Sequence, residues 1–301
     1  MALIESVPNF SCTGETLEAI VALFQKHEGI TVLDFSSDED HNRSVVTVIG
    51  APDPLSDAVF EAIKLAADTI DLREHKGAHP RMGATDVVPF IPIAGATMDD
   101  CIELSRRLGE RVGRELGIPV FLYEKSASSP ERSNLAVIRK GQFEGMAEKM
   151  RGGFAADFGP DTPHVSAGVT AIGARKPLLA FNVNLGTADL SVADRIAKKI
   201  RFLGGGLRYV KAMGVLLENR GITQVSMNLT DYEQSSLYQV VETIRFEAAR
   251  YGVPVIGSEL IGLAPMQAIL DAAAYYLQLE TFSAGQIIES HLLPGKGGDA
   301  I

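Results

Sequence analysis

The sequence predicts an α+β fold in which a βαββαβ unit occurs twice, with mixed sheets and helices packed mainly on one face. Apolar residues recur at helical spacing in several segments, and short runs rich in β-branched residues separate those segments. The order of the segments is the same in both halves of the chain. We therefore expect two ferredoxin-like subdomains, residues 1–177 and residues 178–301.

In the first half, the periodicity of apolar residues defines most elements. Leu17, Ile20 and Phe24 share one face of a predicted helix, and Thr97 is the predicted N-cap of another. Pro89 lies inside a predicted strand and indicates an edge strand or a bulge. The predicted elements are a strand at 2–8, a helix at 13–27, strands at 30–35 and 44–49, a helix at 53–72, a strand at 87–93, a helix at 97–116, a strand at 120–123, short helical or irregular structure at 133–150 and a strand at 165–172.

The second half repeats this order. The predicted elements are a strand at 178–185, a helix at 191–202, strands at 210–218 and 224–229, a helix at 233–251 and a strand at 254–256. A last helix is predicted at 265–279, and residues 295–300 are expected to form a frayed tail. Gly204-Gly205-Gly206 lacks the spacing of a phosphate-binding loop, so we interpret it as a flexible turn after a helix.

The composition excludes several classes of function. A net charge of −10 over 301 residues argues against nucleic acid as the main partner. Two cysteines, Cys12 and Cys101, fit a reducing compartment and are expected to be free thiols. No apolar stretch of membrane-spanning length and no signal-peptide pattern is present, so we expect a cytoplasmic protein. Zinc-type Cys/His spacing and a Gly-x-Ser-x-Gly elbow are also missing, which predicts neither a metal site nor a serine hydrolase.

One loop, residues 75–83, concentrates titratable and cationic side chains. It contains His75, Lys76, His79 and Arg81 within seven residues, interleaved with two glycines and a proline. Glycine and proline disfavour a regular helix or strand, and imidazoles titrate near neutral pH. A loop between a predicted helix and a predicted strand is a frequent position for catalytic groups.

Three other segments attract attention. Residues 157–168 form a second long loop dense in glycine and proline, and loops of this length are often functional. Arg175 and Lys176 offer paired positive charge to a carboxylate. The acidic turn at 36–43 lacks the oxygen-ligand periodicity of a calcium loop, so we interpret it as a polar hairpin turn.

The first loop, continued through Ala84-Thr85-Asp86 to Pro89-Phe90-Ile91-Pro92, resembles the signature of the formiminotransferase family, whose members occur alone or fused to a cyclodeaminase. Other matching segments are Ser6-Val7-Pro8-Asn9-Phe10-Ser11, His41-Asn42-Arg43, Asp157-Phe158-Gly159-Pro160, Gly173-Ala174-Arg175-Lys176 and Ala180-Phe181-Asn182-Val183-Asn184. The resemblance runs from about residue 3 to residue 280, and several motifs in the right order make it specific.

The resemblance implies that the chain transfers a formimino group from N-formimino-L-glutamate to N5 of tetrahydrofolate. It assigns acid–base catalysis to His79, although composition alone leaves His75 as a rival. It implies that tetrahydrofolate is a co-substrate and that no metal takes part. The implied binding residues are Asn42, Arg43, Lys76, Arg81, Gly159, Pro160, Asp161, Thr162, Pro163, His164, Val165, Ser166, Ala167, Gly168, Arg175 and Lys176.

The implied chemistry needs a group that takes a proton from N5 and returns one to the departing amine of glutamate. Histidine suits both steps, and such catalysis contributes roughly 10²–10⁴-fold. Arginine and lysine side chains suit the carboxylates of both substrates. A carboxylate, Asp38 or Asp40, is expected to stabilise the cationic transition state.

Two other functions stay open on the sequence. The same site could transfer a formyl group between 5-formyltetrahydrofolate and glutamate, because the two groups differ by one heteroatom. A non-catalytic folate- or amino-acid-binding regulatory protein is the alternative of another class. The resemblance also suggests a homodimer and polyglutamyl tetrahydrofolate as substrate. Because the chain has about the length of one transferase unit, we expect no cyclodeaminase activity, and a separate cyclodeaminase is expected to act next.

Overall fold

The structure, a computed structural model, describes residues 2–291 of the chain. It divides into two compact units, residues 1–175 and residues 176–301, and each unit is described by itself. No helix among the described residues is long and apolar enough to cross a membrane. The frayed tail expected at 295–300 lies outside the described residues.

The first unit has a seven-stranded sheet. Its elements are β1 (Leu3–Ser6), β2 (Asn9–Phe10), α1 (Gly14–Lys26), β3 (Ile30–Asp38), β4 (Arg43–Gly50), α2 (Pro52–Thr69), β5 (Thr85–Ala94), α3 (Met98–Glu115), β6 (Val120–Glu124), α4 (Leu135–Arg139), α5 (Gln142–Arg151) and β7 (Thr170–Ala174). Strands β3, β4, β1 and β5 lie side by side and are antiparallel, which is the ferredoxin-like arrangement. Beyond β5, strands β7 and β6 extend the sheet in parallel.

Helices cover both faces of this sheet at different places. The core beneath α1, α2 and α3 contains Phe24, Val88 and Phe90, which are fully buried. On the opposite face, α4 and α5 pack with Met146 against Phe121. The predicted short helical structure at 133–150 is therefore two helices with a packing role, because they bury the second face of the parallel strands.

Helix α3 begins where the sequence predicts. The hydroxyl of Thr97 accepts a hydrogen bond from the backbone N–H of Asp100 at 3.2 Å, and the carboxylate of Asp100 accepts one from the backbone N–H of Thr97 at 2.7 Å. This capping box satisfies two backbone donors that the first helical turn leaves free, and such a cap stabilises a protein by about 1 kcal/mol.

Strand β5 corrects the interpretation of Pro89. The strand is interior, since it pairs with β1 and β2 on one side and with β7 on the other. The edge-strand alternative was wrong, whereas β5 does show register shifts on either side of Pro89, between Thr85 and Val87 against β2 and between Pro92 and Ala94 against β1. The missing N–H is tolerated because β5 pairs with β2 at Val87 and with β1 from Phe90 onward, so Pro89 lies at the break between these two pairings.

The second unit has a four-stranded antiparallel sheet in the order β11-β8-β10-β9. Its elements are β8 (Leu179–Leu185), α6 (Leu190–Ile200), β9 (Val210–Leu217), β10 (Ile222–Leu229), α7 (Leu237–Ala249), β11 (Val255–Ile261) and α8 (Met266–Leu277). The core contains Val183, Val225, Ile196 and Ile244, all fully buried. Both units thus contain the predicted βαββαβ motif, and the α+β prediction is confirmed.

Three smaller features complete the fold. Helix α7 begins at Leu237 rather than at residue 233, because Ser236 and Gln239 form a capping box there. The triple glycine follows α6 as a tight turn, in which Gly205 has a φ of 85°. Cys12 and Cys101 are both buried and free.

Candidate active site

The loop formed by residues 75–83 lies between α2 and β5 and is held by the hairpin that joins β3 to β4. Nε2 of His75 lies 2.9 Å from the carbonyl oxygen of Asn42, and the side-chain amide of Asn42 donates to the carbonyl of Lys76 at 3.0 Å. The backbone N–H of Ala78 donates to the carbonyl of Asp40 at 3.1 Å. These three bonds fix the loop against the hairpin from which two predicted site residues, Asn42 and Arg43, project.

Glycine is required at the centre of this contact. A Cβ at Gly77 would meet the carbonyl oxygen of His41 far inside van der Waals contact, and its nearest neighbours are backbone atoms that cannot move away. The sequence places two glycines in the loop, and the structure gives Gly77 a specific reason.

Helix α5 holds the other side of the loop through Arg81. The guanidinium of Arg81 donates to both carboxylate oxygens of Glu144, at 2.8 and 3.1 Å, and the carbonyl of Arg81 accepts from the backbone N–H of Phe143 at 2.9 Å. Nε of Arg81 also donates to Nδ1 of His75 at 3.1 Å. Both ring nitrogens of His75 are therefore engaged, with Nε2 donating to the hairpin, and this ring has no nitrogen left to exchange a proton.

His79 has a different environment. Its Nε2 is buried and has no hydrogen-bond partner. Desolvation by burial lowers the pKa of His79 to about 4, and the positive charges of Arg43 and Arg139 act in the same direction. The ring is therefore neutral at pH 7 and can accept a proton. Of the two histidines in the loop, the geometry favours His79 as the acid–base group.

Asp86 connects this loop to two arginines. Its side chain is 1% exposed, and Oδ1 accepts from the backbone N–H of Met82 at 2.8 Å. Oδ2 accepts from Arg43 at 3.2 Å and from Arg139 at 2.7 Å, and Arg43 also donates to the side chain of Asn9. One carboxylate thus faces two guanidiniums, which leaves an excess of positive charge beside the neutral imidazole.

Asp86 and Arg139 were not predicted as site residues. Asp86 lies in the segment that follows the loop, and an acidic residue within an apolar strand is a signal that could have identified it. Arg139 lies 53 positions further along the chain on α4, and no local pattern indicates that the two side chains meet.

The second predicted loop approaches the first one at its end. The backbone N–H of Val169 donates to the carbonyl of Met82 at 3.0 Å, and that of Ala84 donates to the carbonyl of Ala167 at 2.9 Å. Gly168 has a φ of 69°, and a Cβ there would collide with the carbonyl oxygen of Met82. The structure therefore brings Ala167 and Gly168 to the His79 loop, whereas residues 159–162 are exposed.

Further hydrogen bonds and an ion pair stabilise the second loop at its beginning and near its end. Asp157 accepts from the backbone N–H of Leu122 at 2.8 Å and pairs with Arg132 at 2.9 Å. His164 and Gly168 exchange two backbone hydrogen bonds, at 2.9 and 3.0 Å. The loop that connects α5 to β7 is thus anchored by hydrogen bonds at both ends, whereas its residues 159–162 are exposed.

The predicted pair Arg175-Lys176 spans the boundary of the two units. Arg175 ends the first unit, where its backbone N–H donates to Phe90 at 3.0 Å. Lys176 begins the second unit, where its ammonium contacts Asp231 at 2.9 Å and Glu233 at 2.6 Å. Lys76 is exposed in the first loop and has no ion-pair partner among the described residues.

Asp38 and Asp40, the predicted acidic assistants, differ in their contacts. Asp38 pairs with Nδ1 of His41 at 2.7 Å and also accepts from the backbone N–H of His41 at 3.0 Å. These bonds lower the pKa of Asp38. Asp40 contributes its backbone carbonyl to the loop contact. Among residues 2–291, no group of three or more His, Cys, Asp or Glu side chains is arranged to hold a metal ion.

Comparison with known proteins gives a consistent result over nearly the whole chain. Residues 3–175 match the family model described as the formiminotransferase domain, N-terminal subdomain, and residues 180–292 match the formiminotransferase domain. The chain is 54% identical to the glutamate formimidoyltransferase of Streptococcus pyogenes serotype M1, covering 97% of this chain and 99% of that protein.

More distant relatives have the same name or a longer name that includes formimidoyltransferase. The chain is 44% identical to the glutamate formimidoyltransferase of Thermoplasma acidophilum, over 96% of this chain and 97% of that protein. It is 42% identical to the formimidoyltransferase-cyclodeaminase of Rattus norvegicus, over 92% of this chain but 53% of that protein.

Proposed function

The chain belongs to the formiminotransferase family, and from this premise we propose that it transfers the formimino group of N-formimino-L-glutamate to N5 of tetrahydrofolate and releases L-glutamate. The observation that carries the mechanism is the unpartnered, buried Nε2 of His79. The relatives named glutamate formimidoyltransferase support an enzyme over a non-catalytic binding protein.

His79 is the proton carrier of this mechanism. N5 of tetrahydrofolate attacks the amidine carbon, and the new C–N bond gives N5 a positive charge. His79, neutral because of its low pKa, accepts the N5 proton at Nε2. The departing amine of glutamate takes a proton as its bond to carbon breaks and the C=N bond re-forms. Asp86 holds the loop through Met82, so that Nε2 stays in position.

The proposed binding residues fall into two groups. Asn42, Arg43 and Arg81 make internal contacts that also orient the loop, and the excess charge of Arg43 and Arg139 over Asp86 favours a substrate carboxylate nearby. Lys76, which is exposed, can contact a second carboxylate. For tetrahydrofolate, the co-substrate, we propose Gly159 to Gly168 in the second loop together with Arg175 and Lys176.

Further parts of the proposal concern the setting of the enzyme. We propose that it acts in the cytoplasm as a homodimer, accepts polyglutamyl tetrahydrofolate and delivers 5-formiminotetrahydrofolate to a separate cyclodeaminase. The rat relative, whose name combines both activities in one longer chain, supports the last step. Sedimentation at micromolar concentration tests the dimer, and incubation with 5-formiminotetrahydrofolate tests for ammonia release, which should be absent.

The decisive experiment measures glutamate release from N-formimino-L-glutamate with and without tetrahydrofolate, in the wild type and in His79→Gln. Release that requires tetrahydrofolate and is lost in His79→Gln, while tetrahydrofolate still binds, supports both the reaction and the role of His79. Absence of release from the wild type, together with formyl transfer from 5-formyltetrahydrofolate to glutamate, would replace the proposal by the formyl reaction.

A further inference from the structure

The hairpin between β3 and β4 presents a second histidine to the site. Nδ1 of His41 lies 2.7 Å from Oδ2 of Asp38, and the backbone N–H of His41 donates to Oδ1 of the same carboxylate at 3.0 Å. The carboxylate is ionised, because these hydrogen bonds stabilise its charged form. Nδ1 must therefore carry the proton of this bond, which leaves Nε2 as the nitrogen that can exchange a proton. Nε2 has no hydrogen-bond partner among the described residues.

His41 faces the catalytic loop. The centroids of the His41 and His79 rings are 6.0 Å apart, and the rings are inclined at 68°. This separation is that of neighbouring rings in an edge-on arrangement. The two imidazoles are therefore close neighbours, one carried by the loop and one by the hairpin.

The distance between the rings is fixed by the backbone. The hairpin and the loop share three hydrogen bonds. Because Gly77 has no Cβ, the loop backbone can approach the carbonyl oxygen of His41 closely. At the hairpin tip, the hydroxyl of Thr13 donates to the carboxylate of Glu39 at 3.1 Å. Asn42 adopts a φ of 45°, which turns the chain directly after His41. These contacts fix the position of the His41 ring relative to the His79 ring.

The reaction needs two proton positions, because N5 loses its proton on one side of the amidine carbon and the amine gains one on the other. A single shuttle requires one imidazole to reach both nitrogens. Two neighbouring imidazoles remove that requirement, since one can start neutral and the other protonated.

We propose that His41 is a second acid–base residue of this enzyme, which protonates the departing amine of glutamate while His79 accepts the proton of N5; the inference rests on the proposed function. The N5–C bond forms as the C=N π pair of the protonated amidine moves to the imino nitrogen, and the N5 proton moves to Nε2 of His79. The C=N bond then re-forms as the C–N bond to glutamate breaks, the electron pair of that bond stays on the amine nitrogen, and Nε2 of His41 supplies the proton. Asp38 stabilises the positive charge of the His41 ring through Nδ1. Exchange of one proton with solvent at each ring restores the starting state.

The test compares His41→Gln with a matched control. His27 also pairs with a carboxylate, Glu61, at 2.9 Å, but it lies at the end of α1 away from the loop, so His27→Gln removes a similar pair without touching the site. For His41→Gln we expect kcat to fall about 100-fold, as loss of a general acid does. The Michaelis constant for N-formimino-L-glutamate should stay within about twofold, and thermal stability should match that of His27→Gln, whose kcat should equal that of the wild type.

The pH profile separates catalysis from a structural role. The charged and titratable groups around the two rings are Asp38, His75, Lys76, Arg43, Asp86 and Arg139. A general acid must be protonated, so loss of His41 should abolish the decline of kcat on the alkaline side and leave the acid side, set by His79, in place. In His41→Gly, added imidazole should restore kcat, since the position is half-exposed and the cavity can admit the free base.

Asp38→Asn provides the second variant. It keeps an acceptor for the backbone N–H of His41 but removes the negative charge beside Nδ1, so kcat should fall about tenfold. If His41→Gln retains more than half of the wild-type kcat, or loses activity with an unchanged alkaline limb and no imidazole rescue in His41→Gly, the proposal is overturned while the transferase function stands. An inactive wild type would overturn both.

Discussion

The ionisation of His79 depends on side chains that three separate segments supply. Burial has the largest effect, and Arg43 from β4 and Arg139 from α4 add to it, while Asp86 opposes them. The result is an imidazole whose pKa lies below 6.5, the ordinary value for histidine. Such a ring is neutral over the whole physiological range, so it is available as a proton acceptor at pH 7.

This environment predicts the acid limb of the activity. A group with a lowered pKa loses its neutral form only as the pH falls through the lowered value. We therefore expect kcat to be retained from pH 7 down to pH 5 and to be lost as the pH falls through about 4. The measurement is kcat against pH at saturating substrates, with circular dichroism at each pH as the control for unfolding. A midpoint near the ordinary value of 6.5 would contradict the assignment.

Arg139 allows this electrostatic effect to be tested separately. Replacing Arg139 by methionine removes one positive charge near His79 and leaves Arg43 paired with Asp86. The pKa of His79 should then rise toward 6.5, and the acid limb of kcat should shift to higher pH. The control is Arg151→Met, which removes an exposed cation from α5. An unchanged acid limb in Arg139→Met would show that Arg139 does not contribute to the lowered pKa of His79.

For single residues, the sequence identifies groups that lie close together in the chain and misses contacts between residues that are far apart in the chain. Composition marks the loop of His75 and His79, but it cannot rank the two, because the difference lies in contacts with Asn42 and Arg81. The pairing of Asp86 with Arg139 is also a tertiary contact, and no spacing rule links two residues on a strand and a helix 53 positions apart.

The elements of the fold follow from their patterns more closely. Helices α1, α2 and α3 begin and end within three residues of the predicted bounds, because the apolar period and the caps act locally. Strand β11 extends from Val255 to Ile261, well beyond the predicted strand at 254–256. Its Gly257 and Ser258 are poor strand formers, and only pairing with β8 makes them extended.

The contact between the second loop and the His79 loop gives a prediction about Gly168. In Gly168→Ala, a residue with a side chain would have to adopt the positive φ of this position, and its Cβ would collide with the backbone of Met82. We expect a loss of roughly 1–2 kcal/mol from the backbone conformation and about 1–3 kcal/mol from the collision. Because the collision displaces the loop, kcat should fall as well.

Gly117→Ala is the matched control for that variant. Gly117 has a φ of 64°, and nothing lies within 4 Å of its Cβ position. It should therefore lose only the conformational part, and kcat should stay near the wild-type value. Urea unfolding and kcat of both variants decide the matter. Equal losses of stability and activity would show that Met82 makes no specific contribution.

On the scale of the whole molecule, the two units have separate hydrophobic cores. The core of the second unit, around Val183, Val225 and Ile244, shares no residue with the cores of the first. The catalytic candidates all lie in the first unit, whereas Lys176 lies in the second. The duplicated order of strands was predictable from the segment pattern. The two additional parallel strands were not recognisable as sheet extensions, because a parallel partner need not be near in sequence.

Separate cores predict independent folding of the second unit. A fragment of residues 176–291 should express as a soluble domain, unfold cooperatively in urea and show the dispersed amide spectrum of a folded sheet protein. In the same fragment, Val225→Ala should lower the free energy of unfolding by about 1–3 kcal/mol, because Val225 is fully buried. A fragment with no cooperative transition would contradict the independence of the two cores.

The overall charge gives no indication of the local charge at the site. The chain carries −10, yet Arg43 and Arg139 both contact one buried carboxylate, that of Asp86. Net charge is a sum over the surface, and burial strengthens nearby charges far more than distant ones. Composition therefore cannot predict the electrostatics of a site whose charged groups are buried.

The absence of a side chain at Gly77 has a consequence for engineering. Because the loop touches the hairpin through bare backbone, neither segment can be exchanged alone with that of a divergent relative without reshaping the contact. Residues 38–43 and 75–83 thus form one transplantable cassette. A chimaera built by moving both should keep its turnover, whereas one built by moving either segment by itself should need compensating changes in the other.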